Sequence, residues 1–286
     1  MKLITWNIQW GRGLDGRVDL ARIVRSARAM ADFDVICFQE IADNFPGLAG
    51  NDDADQFAQL SALLAGYTRI EGHGLDVAGD GGRRRRFGNA IFSRYTVLSA
   101  RRHALPWTAE QGKKTMSRVA VEATVQAPMG PIRITTTHLE YYSELQRRAQ
   151  ARRLRNIHDE ACQRSTLEPR WENEESNVTF DPTPQTRDAI LTGDFNFPPE
   201  NPAYGDIQSP LAVHGPAYRD AWPMVHDRAP HPPTFCLHDR AYAKEPYCCD
   251  FVFVSESLRR RVRGLEANLE TRDSDHQPLL FEMDDT

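Results

Sequence analysis

Short apolar segments recur along this chain, and many of them begin or end at an acidic, amide or imidazole side chain. The segments that we predict as strands are 3–8, 34–40, 89–94, 118–126, 132–138, 188–195, 250–255 and 277–283. Several of them alternate apolar with polar residues or are rich in β-branched side chains, as half-buried strands are. The run 34–40 is too apolar to expose both faces, so we expect it at the centre of a sheet.

Two segments between the predicted strands have the spacing of amphipathic helices. In the first, 17–30, the apolar residues that fall on one helical face are Val18, Ile23, Val24 and Ala27. In the second, 143–161, the residues spaced for packing are Leu145, Ala149, Arg152 and Ile157. Strands and helices together predict an α/β chain that is rich in strand.

Length and composition favour one domain. The chain has 286 residues, of which 40% are hydrophobic and 26% charged, as in ordinary globular proteins. We find no internal repeat and no low-complexity linker, so we predict a single domain over 1–286. The stretch 165–187 is polar, contains proline and is irregular, so we interpret it as a surface insertion rather than an active-site lid.

Several classes of protein are disfavoured by what the sequence lacks. No apolar stretch approaches the roughly 20 residues that cross a bilayer, and no signal-peptide core follows Met1, so we expect a cytoplasmic protein without a membrane span. The five cysteines are odd in number and form no CxxC pair, which disfavours a disulfide framework and structural zinc. The net charge of −5 gives no global attraction to nucleic acid, so such a substrate would need a local patch.

The stretch TGDFNF at 192–197 raises the question of function. If the strand continues through it, Asp194 and Asn196 share one face while Phe195 and Phe197 point into the packing. An Asx turn is the plain alternative for this acid and amide. Polar groups also flank other predicted strands, namely Asn7, Glu40, His138, Asp250, Asp275 and His276. Together they suggest an oxygen-liking cation, Mg²⁺ or Mn²⁺, beside a pair of proton-transfer groups.

A series of motifs in order gives these residues a family context. The motifs are TWNIQ (5–9), CFQE (37–40), FGNAIFSR (87–94), TTTHLE (135–140), GDFNF (193–197), CDFVFVS (249–255) and SDHQP (274–278). The series spans nearly the whole chain and resembles the endonuclease/exonuclease/phosphatase superfamily. That superfamily includes pancreatic-type deoxyribonuclease, apurinic/apyrimidinic endonucleases and tyrosyl-DNA phosphodiesterase. The resemblance implies a four-layer α/β/β/α sandwich, in which two mixed sheets pack face to face with helices outside.

The resemblance also implies roles for the candidate residues. Glu40 would be the main Mg²⁺ ligand, with Asp275 and Asn7 close by or completing the shell through water. His276 would be the general base that activates a water, and Asp250 would orient its imidazole. Asp194 would orient the attacking water, and Asn196 would donate an amide N–H to the phosphate. His138 would stabilise the developing negative charge as a protonated imidazole.

The identity of the phosphate ester is less constrained. The run Arg83–Arg86 could meet a phosphate backbone or be solvated surface. In this run and the motif that follows it, Arg86 and Asn89 are the best candidates for substrate contact. Tyr142, with Tyr141, could stack on a base or a tyrosyl group or simply pack. We interpret Cys249 as a packing residue, where relatives have an aliphatic side chain.

These observations predict a monomeric Mg²⁺-dependent phosphodiesterase that acts on nucleic acid or nucleotide ends. One alternative is a phosphatase or phosphodiesterase for a small phosphorylated metabolite, a phosphoinositide or a phospholipid head group, which the net negative charge favours. The other is a non-catalytic binding module on the same scaffold. The intact set of candidate metal, base and water-positioning residues argues against that module.

Overall fold

Two six-stranded sheets form the centre of the fold in the computed structural model, which describes residues 1–167, 178–212 and 215–285. The first sheet has the order β11-β12-β1-β2-β4-β3 and consists of β1 (Lys2–Asn7), β2 (Val35–Asp43), β3 (Thr68–Ala78), β4 (Arg84–Ser93), β11 (Val262–Ala267) and β12 (Leu279–Met283). The second has the order β5-β6-β7-β8-β10-β9 and consists of β5 (Val97–Ala104), β6 (Val119–Ala127), β7 (Gly130–His138), β8 (Ala189–Asp194), β9 (Tyr218–Asp220) and β10 (Asp250–Ser255). Both are mixed, because β1 runs parallel to β2 and β7 runs parallel to β8 while the other neighbours are antiparallel.

Helices cover the outer faces of the two sheets. The α-helices are α1 (Leu20–Met30), α2 (Gln56–Leu63), α3 (Glu144–Arg164), α4 (Pro202–Gln208) and the short α5 (Trp222–His226). Apolar side chains of α1 and α2 pack on the first sheet, and those of α3 and α4 pack on the second. A third apolar layer lies between the sheets and includes Val35, Ile91, Val121, Ile134 and Val252. This arrangement confirms the four-layer α/β/β/α sandwich.

The sheet topology brings distant polar residues to one edge. The parallel pairing of β1 with β2 ends at Asn7 and Gln39, one residue before Glu40, and the parallel strands β7 and β8 end at His138 and Asp194. Strand β10 runs antiparallel to β8 and starts at Asp250, directly opposite Asp194. A buried hydrogen bond from Gln39 Nε2 to Thr136 Oγ1 (2.8 Å) links the two sheets beside these strand ends.

The strands that the sequence predicts all overlap observed strands, but β3, β5, β9 and β11 were not predicted. Each of these four strands lies at or next to a sheet edge. Most residues of β3, β5 and β11 are half-buried or exposed, and β9 has only three residues. The apolar pattern that marks a buried strand is therefore weak in all four. The run 34–40 is confirmed as a central strand, because β2 lies between β1 and β4.

The buried face of α3 differs from the predicted one. Leu145 and Arg152 are exposed, while Gln146 and Gln150 are fully buried. Their amides bind irregular backbone: Gln146 Nε2 donates to the Thr108 carbonyl (2.6 Å) and Gln150 Nε2 donates to the Pro106 carbonyl (3.0 Å). The prediction of this face was wrong because a buried amide that satisfies a loop carbonyl looks polar in the sequence.

The predicted insertion at 165–187 begins directly after α3. Part of it, 168–177, lies outside the described residues, so its nature stays a prediction. Over the ranges that the structure describes, no helix combines the length and the apolar character needed to span a membrane.

Candidate active site

A cavity of about 210 Å³ opens at the edge where the strand ends converge. Of the residues that the sequence predicts, Glu40, His138, Tyr142, Asp194, Asn196, Asp275 and His276 line it. Tyr141, which the sequence analysis names with Tyr142 as a stacking candidate, lines it too. Five further lining residues were not predicted, namely Gln9, Trp10, Arg118, Phe235 and Tyr242. The lining comes from both sheets and from the loops that precede or follow their strands.

Several lining residues hold unusual backbone conformations. Glu40 lies at an irregularity in the pairing of β2 with β4 and has a left-handed φ of 59°. Gln9, Trp10 and Asn196 also have left-handed φ values, of 44°, 46° and 54°. Such conformations cost about 1–3 kcal/mol each in non-glycine residues and persist where the surrounding structure imposes them, often at functional sites.

The TGDFNF stretch forms a sharp turn rather than a continued strand. Strand β8 ends at Asp194, and the Asn196 N–H donates to Asp194 Oδ1 (2.9 Å) in an Asx turn. Gly193 is required here, because its φ is +134° and a Cβ would lie 2.0 Å from the Thr137 carbonyl oxygen. Phe195 is fully buried, as predicted. Both polar side chains still reach the cavity, but by a turn and not by strand alternation.

A buried hydrogen-bonded pair joins the two sheets' polar ends. His276 Nδ1 lies 2.9 Å from Asp250 Oδ2, and His276 Nε2 lies 3.6 Å from Asp194 Oδ2. The Phe235 ring packs against the imidazole at a centroid distance of 4.5 Å. Burial opposes protonation of His276, but the charges of Asp250 and Asp194 outweigh it and raise the pKa of the imidazole. Asp250 does not line the cavity, and it contacts His276 through the ring nitrogen that faces away from Asp194.

Asn7 bridges two carboxylates beneath the cavity. Its Nδ2 donates to Asp194 Oδ2 (2.9 Å) and to Glu40 Oε1 (3.1 Å). Its Oδ1 accepts the backbone N–H of Gln9 (3.1 Å). Asn7 is fully buried and is not a lining residue, so its hydrogen bonds fix the spacing of Glu40 and Asp194.

Glu40 and Asp275 form an electron-rich pocket suited to a hard cation. Burial and the charge of Asp275 raise the pKa of Glu40 to about 7, and burial raises the pKa of Asp275. Gln9 Nε2 donates to Asp275 Oδ2 (2.7 Å), while Gln9 Oε1 is buried without a hydrogen-bond partner among the described residues. Two carboxylates and a free amide oxygen are the ligands that Mg²⁺ and Mn²⁺ prefer, so these residues fit such an ion.

His138 and Arg118 occupy the opposite side of the cavity. His138 Nε2 lies 3.3 Å from Asp194 Oδ2, and its Nδ1 lies 3.8 Å from Glu40 Oε1. Burial, together with the charge of Arg118, lowers the pKa of His138 to about 3. Arg118 is buried and forms an ion pair with Glu140, in which its Nε lies 3.6 Å from Glu140 Oε2. A cation therefore faces the cavity here, and it is the guanidinium rather than the imidazole.

The remaining predicted substrate contacts lie apart from the cavity, with the exception of Tyr142. Asn89 is buried in β4 and donates to the Val119 carbonyl (3.1 Å). The arginine run forms ion pairs with neighbouring acids: Arg83 with Asp53 (3.0 Å), Arg84 with Asp76 (2.7 Å), Arg85 with Asp80 (2.8 Å) and Arg86 with Asp43 (3.6 Å). Neither Arg86 nor Asn89 lines the cavity, and the charge of the run is offset locally.

Three aromatic side chains surround the mouth of the cavity. Tyr142 is 59% exposed and packs edge-on against Tyr141, with ring centroids 4.8 Å apart. The Tyr141 hydroxyl donates to the backbone carbonyl of Tyr242 (3.1 Å), which connects the α3 entry to the loop before β10. Gln9 is the last residue of the motif TWNIQ, and Arg118 is the first residue of the predicted strand 118–126, so these positions were the available signals for the two residues.

The fold matches solved structures of other proteins over nearly its whole length. An endonuclease/exonuclease/phosphatase from Beutenbergia cavernae is 22% identical with a TM-score of 0.67, and the match covers 98% of this chain and 70% of that one. A mannosyl-6-phosphatase from Bacteroides thetaiotaomicron is 19% identical with a TM-score of 0.69 and 99% coverage of both chains. The human Nocturnin catalytic domain is 18% identical with a TM-score of 0.64, covering 100% of this chain and 94% of that one. At these identities the similarity shows the fold.

The sequence itself identifies the family. No curated protein matches it significantly. The profile of the Endonuclease/Exonuclease/phosphatase family, however, matches residues 4–276, which include the whole set of lining residues described above. The chain therefore belongs to the endonuclease/exonuclease/phosphatase family of hydrolases.

Proposed function

We propose that this protein hydrolyses a phosphate ester with water as the nucleophile and with Mg²⁺ or Mn²⁺ as the cofactor. The observation that carries the proposal is one cavity that is lined both by the histidine of a histidine–carboxylate pair and by a separate set of oxygen ligands. His276 with Asp250 supplies the pair, and Glu40 with Asp275 supplies the oxygen ligands. A purely binding scaffold has no need of both sets.

Glu40 and Asp275 would hold the cation, and the free Oε1 of Gln9 is available to it. When bound, a divalent cation polarises a phosphoryl oxygen and neutralises negative charge that develops during cleavage. Asn7 holds Glu40 and Asp194 through one amide group, so we assign it a positioning role at this centre. Gln9 fixes one oxygen of Asp275 in the same way.

His276 is the proposed general base. Its Nδ1 hydrogen bond to Asp250 leaves Nε2 as the acceptor nitrogen, and Nε2 faces Asp194 and the cavity. A water between these two side chains would give its proton to Nε2 as its oxygen attacks phosphorus. Asp250 then stabilises the imidazolium that forms.

Asp194 is ionised at neutral pH, so its carboxylate can orient that water. Burial works to raise the pKa of Asp194, but His138, His276 and hydrogen bonds from Asn7 and the Asn196 N–H hold it below its ordinary value. Asn196 Nδ2 donates to the Leu139 carbonyl (2.8 Å), so only its second N–H is free for a phosphate oxygen.

The charge-stabilising role expected of a protonated His138 fits Arg118 better. Neutral His138 can still donate one hydrogen bond, whereas the guanidinium of Arg118 carries a permanent charge at neutral pH. Preorganised cationic groups in a buried site stabilise developing negative charge strongly. We therefore propose Arg118 as a ligand for a non-bridging phosphate oxygen.

Two substrate classes remain, an end of a nucleic acid or nucleotide and a small phosphorylated metabolite or head group. Exposed Tyr142 beside the cavity favours a ring-bearing substrate such as a terminal nucleotide. The locally neutralised arginine run and the net charge of −5 favour a small substrate over a long polyanion. We retain terminal nucleotides as the first candidate, since they satisfy both observations.

Hydrolysis of bis-p-nitrophenyl phosphate and p-nitrophenyl phosphate tests the reaction class. We expect Mg²⁺-dependent release of p-nitrophenol that EDTA abolishes and that His276→Ala and Glu40→Gln each reduce strongly. A panel of single-stranded oligonucleotides, duplexes, nucleotides and inositol phosphates then separates the substrate classes. Absence of metal-dependent hydrolysis across the whole panel would refute the proposal.

A further inference from the structure

Three side chains with three different ligand atoms meet at the base of the cavity. Asp194, Cys249 and His276 each offer one ligand atom, and the three atoms lie within 4.8 Å of one another. Cys249 Sγ lies 4.0 Å from His276 Nδ1 and 3.6 Å from Asp250 Oδ2. Asp194 and His276 line the cavity, while Cys249 is fully buried next to them.

The spacing of these atoms is close to that of a metal site. Because the three ligand atoms lie within 4.8 Å of one another, a metal ion placed between them would be no more than about 2.8 Å from each. Zinc binds sulfur at about 2.3 Å and nitrogen or oxygen at about 2.0–2.2 Å, so shifts of roughly half an ångström would complete the geometry. The open side, toward the cavity, leaves a fourth position for water.

The donor set selects a different cation from the one that Glu40 and Asp275 suit. A thiolate, an imidazole and one carboxylate favour Zn²⁺ or Co²⁺, whereas Mg²⁺ prefers oxygen ligands. Burial, followed by the charge of Asp194, raises the pKa of the Cys249 thiol well above its ordinary value. The free protein therefore holds a thiol here, and a bound metal would have to displace its proton.

We propose that Asp194, Cys249 and His276 form a binding site for a thiophilic divalent cation such as Zn²⁺, and that binding there inhibits the enzyme. On binding, the S–H bond of Cys249 breaks, a sulfur–metal bond forms and the proton leaves to solvent. His276 gives the metal the lone pair of Nε2, the nitrogen that the Asp250 hydrogen bond leaves free, and a proton held on Nε2 also leaves to solvent. The predicted inhibition rests on the function proposed above, because the metal would occupy the general base His276 and the water-orienting Asp194. The predicted metal binding does not depend on that function.

The adjacent cysteine provides a matched control. Cys248 is also buried, but it packs in the outer layer with the α3 and α4 side chains, and its Sγ lies 3.5 Å from the Asp250 backbone oxygen. Cys249 instead packs with Phe235 and Cys236 beside the cavity. The two thiols are neighbours in sequence and face different surroundings, so only one of them should report a metal at the site.

Cobalt absorption spectroscopy on the full chain tests the binding directly. We expect Co²⁺ to produce the near-ultraviolet charge-transfer band of a thiolate–cobalt bond in the wild-type protein and in Cys248→Ala. The band should be absent in Cys249→Ala and Cys249→Ser, whose folding is checked by circular dichroism. Zn²⁺ should remove the band by competition, and Mg²⁺ should not.

Inhibition is then measured separately with Mg²⁺ saturating. We expect Zn²⁺ to inhibit the wild type and Cys248→Ala equally, and Cys249→Ala at least about 100-fold more weakly, since even the loss of an outer-shell partner costs about 10–100-fold in metal affinity. A missing band in the wild type, or a band lost only in Cys248→Ala, overturns the proposal. Failure of the proposed function gives a different result, namely no hydrolysis without Zn²⁺ while the cobalt band persists.

Discussion

Replacing Glu40 with glutamine should stabilise the metal-free protein at alkaline pH. Burial and the charge of Asp275 raise the pKa of Glu40 from 4.5 to about 7. At about 1.4 kcal/mol per pKa unit, this costs the folded state at most about 3.4 kcal/mol once the carboxyl is ionised. The side chain is 19% exposed, so water screens part of this cost, and we expect about 2 kcal/mol.

The pH range of the effect follows from the direction of the shift. Well below pH 4.5 the carboxyl is protonated in both the folded and the unfolded chain, and its ionisation costs nothing. As the pH rises from about 4.5 to about 7, the unfolded chain ionises first and the folded protein loses stability, and above that range the cost stays constant. Glutamine does not titrate, and its amide oxygen can still accept the Asn7 Nδ2 hydrogen bond at 3.1 Å.

Urea denaturation in EDTA at pH 5 and at pH 8 measures this difference. We expect Glu40→Gln to exceed the wild type by no more than about 0.8 kcal/mol at pH 5 and by about 2 kcal/mol at pH 8. Glu266→Gln, on the exposed face of β11, should match the wild type at both pH values. Mg²⁺ at about 100 times its dissociation constant should then stabilise the wild type by about 2.7 kcal/mol and the variant far less. A variant that is less stable than the wild type at pH 8 without metal would refute this reasoning.

Three further outcomes follow from the same site. His276→Ala and Asp194→Ala should each lower kcat by about 10²–10⁴-fold while circular dichroism and melting temperature stay near the wild-type values, and wild-type activity in either would contradict their roles. Because Asp250 and Asp194 raise the pKa of His276, kcat/KM should still be rising with pH above 6.5, and a profile already flat by pH 6 would contradict the base assignment. Arg84→Ala with Arg85→Ala should leave the salt dependence of oligonucleotide cleavage unchanged, and a smaller salt slope in that variant would show that the run does bind phosphate.

The fold could be predicted largely because its central strands carry strong apolar patterns and its motifs occur in order. The elements that escaped prediction are edge strands and short helices, whose half-exposed residues give weak periodicity. The buried face of α3 was wrong because Gln146 and Gln150 bury amides to satisfy loop carbonyls. Such contacts join segments that are distant in the sequence, so no local sequence pattern predicts them.

The site was predictable where a motif sits close to the end of a strand or of a strand pairing. Glu40, Asp194 and His276 are of this kind, and the structure brings all three to one cavity. Arg86 and Asn89 were inferred from their place along the chain, but their direction depends on the ion pairs and backbone bonds of neighbouring strands. The Asx turn after β8 likewise depends on Gly193, whose left-handed conformation a strand pattern conceals.

Anomalous diffraction from crystals grown with Mn²⁺ and inorganic phosphate tests the central claim most directly, because it locates both the cation and the reacting group. We expect a manganese peak within bonding distance of a Glu40 oxygen, with the phosphate between that ion and His276. A manganese ion bound elsewhere, or a phosphate that contacts neither Glu40 nor His276, would contradict the assignment of this cavity as a phosphoester hydrolysis site.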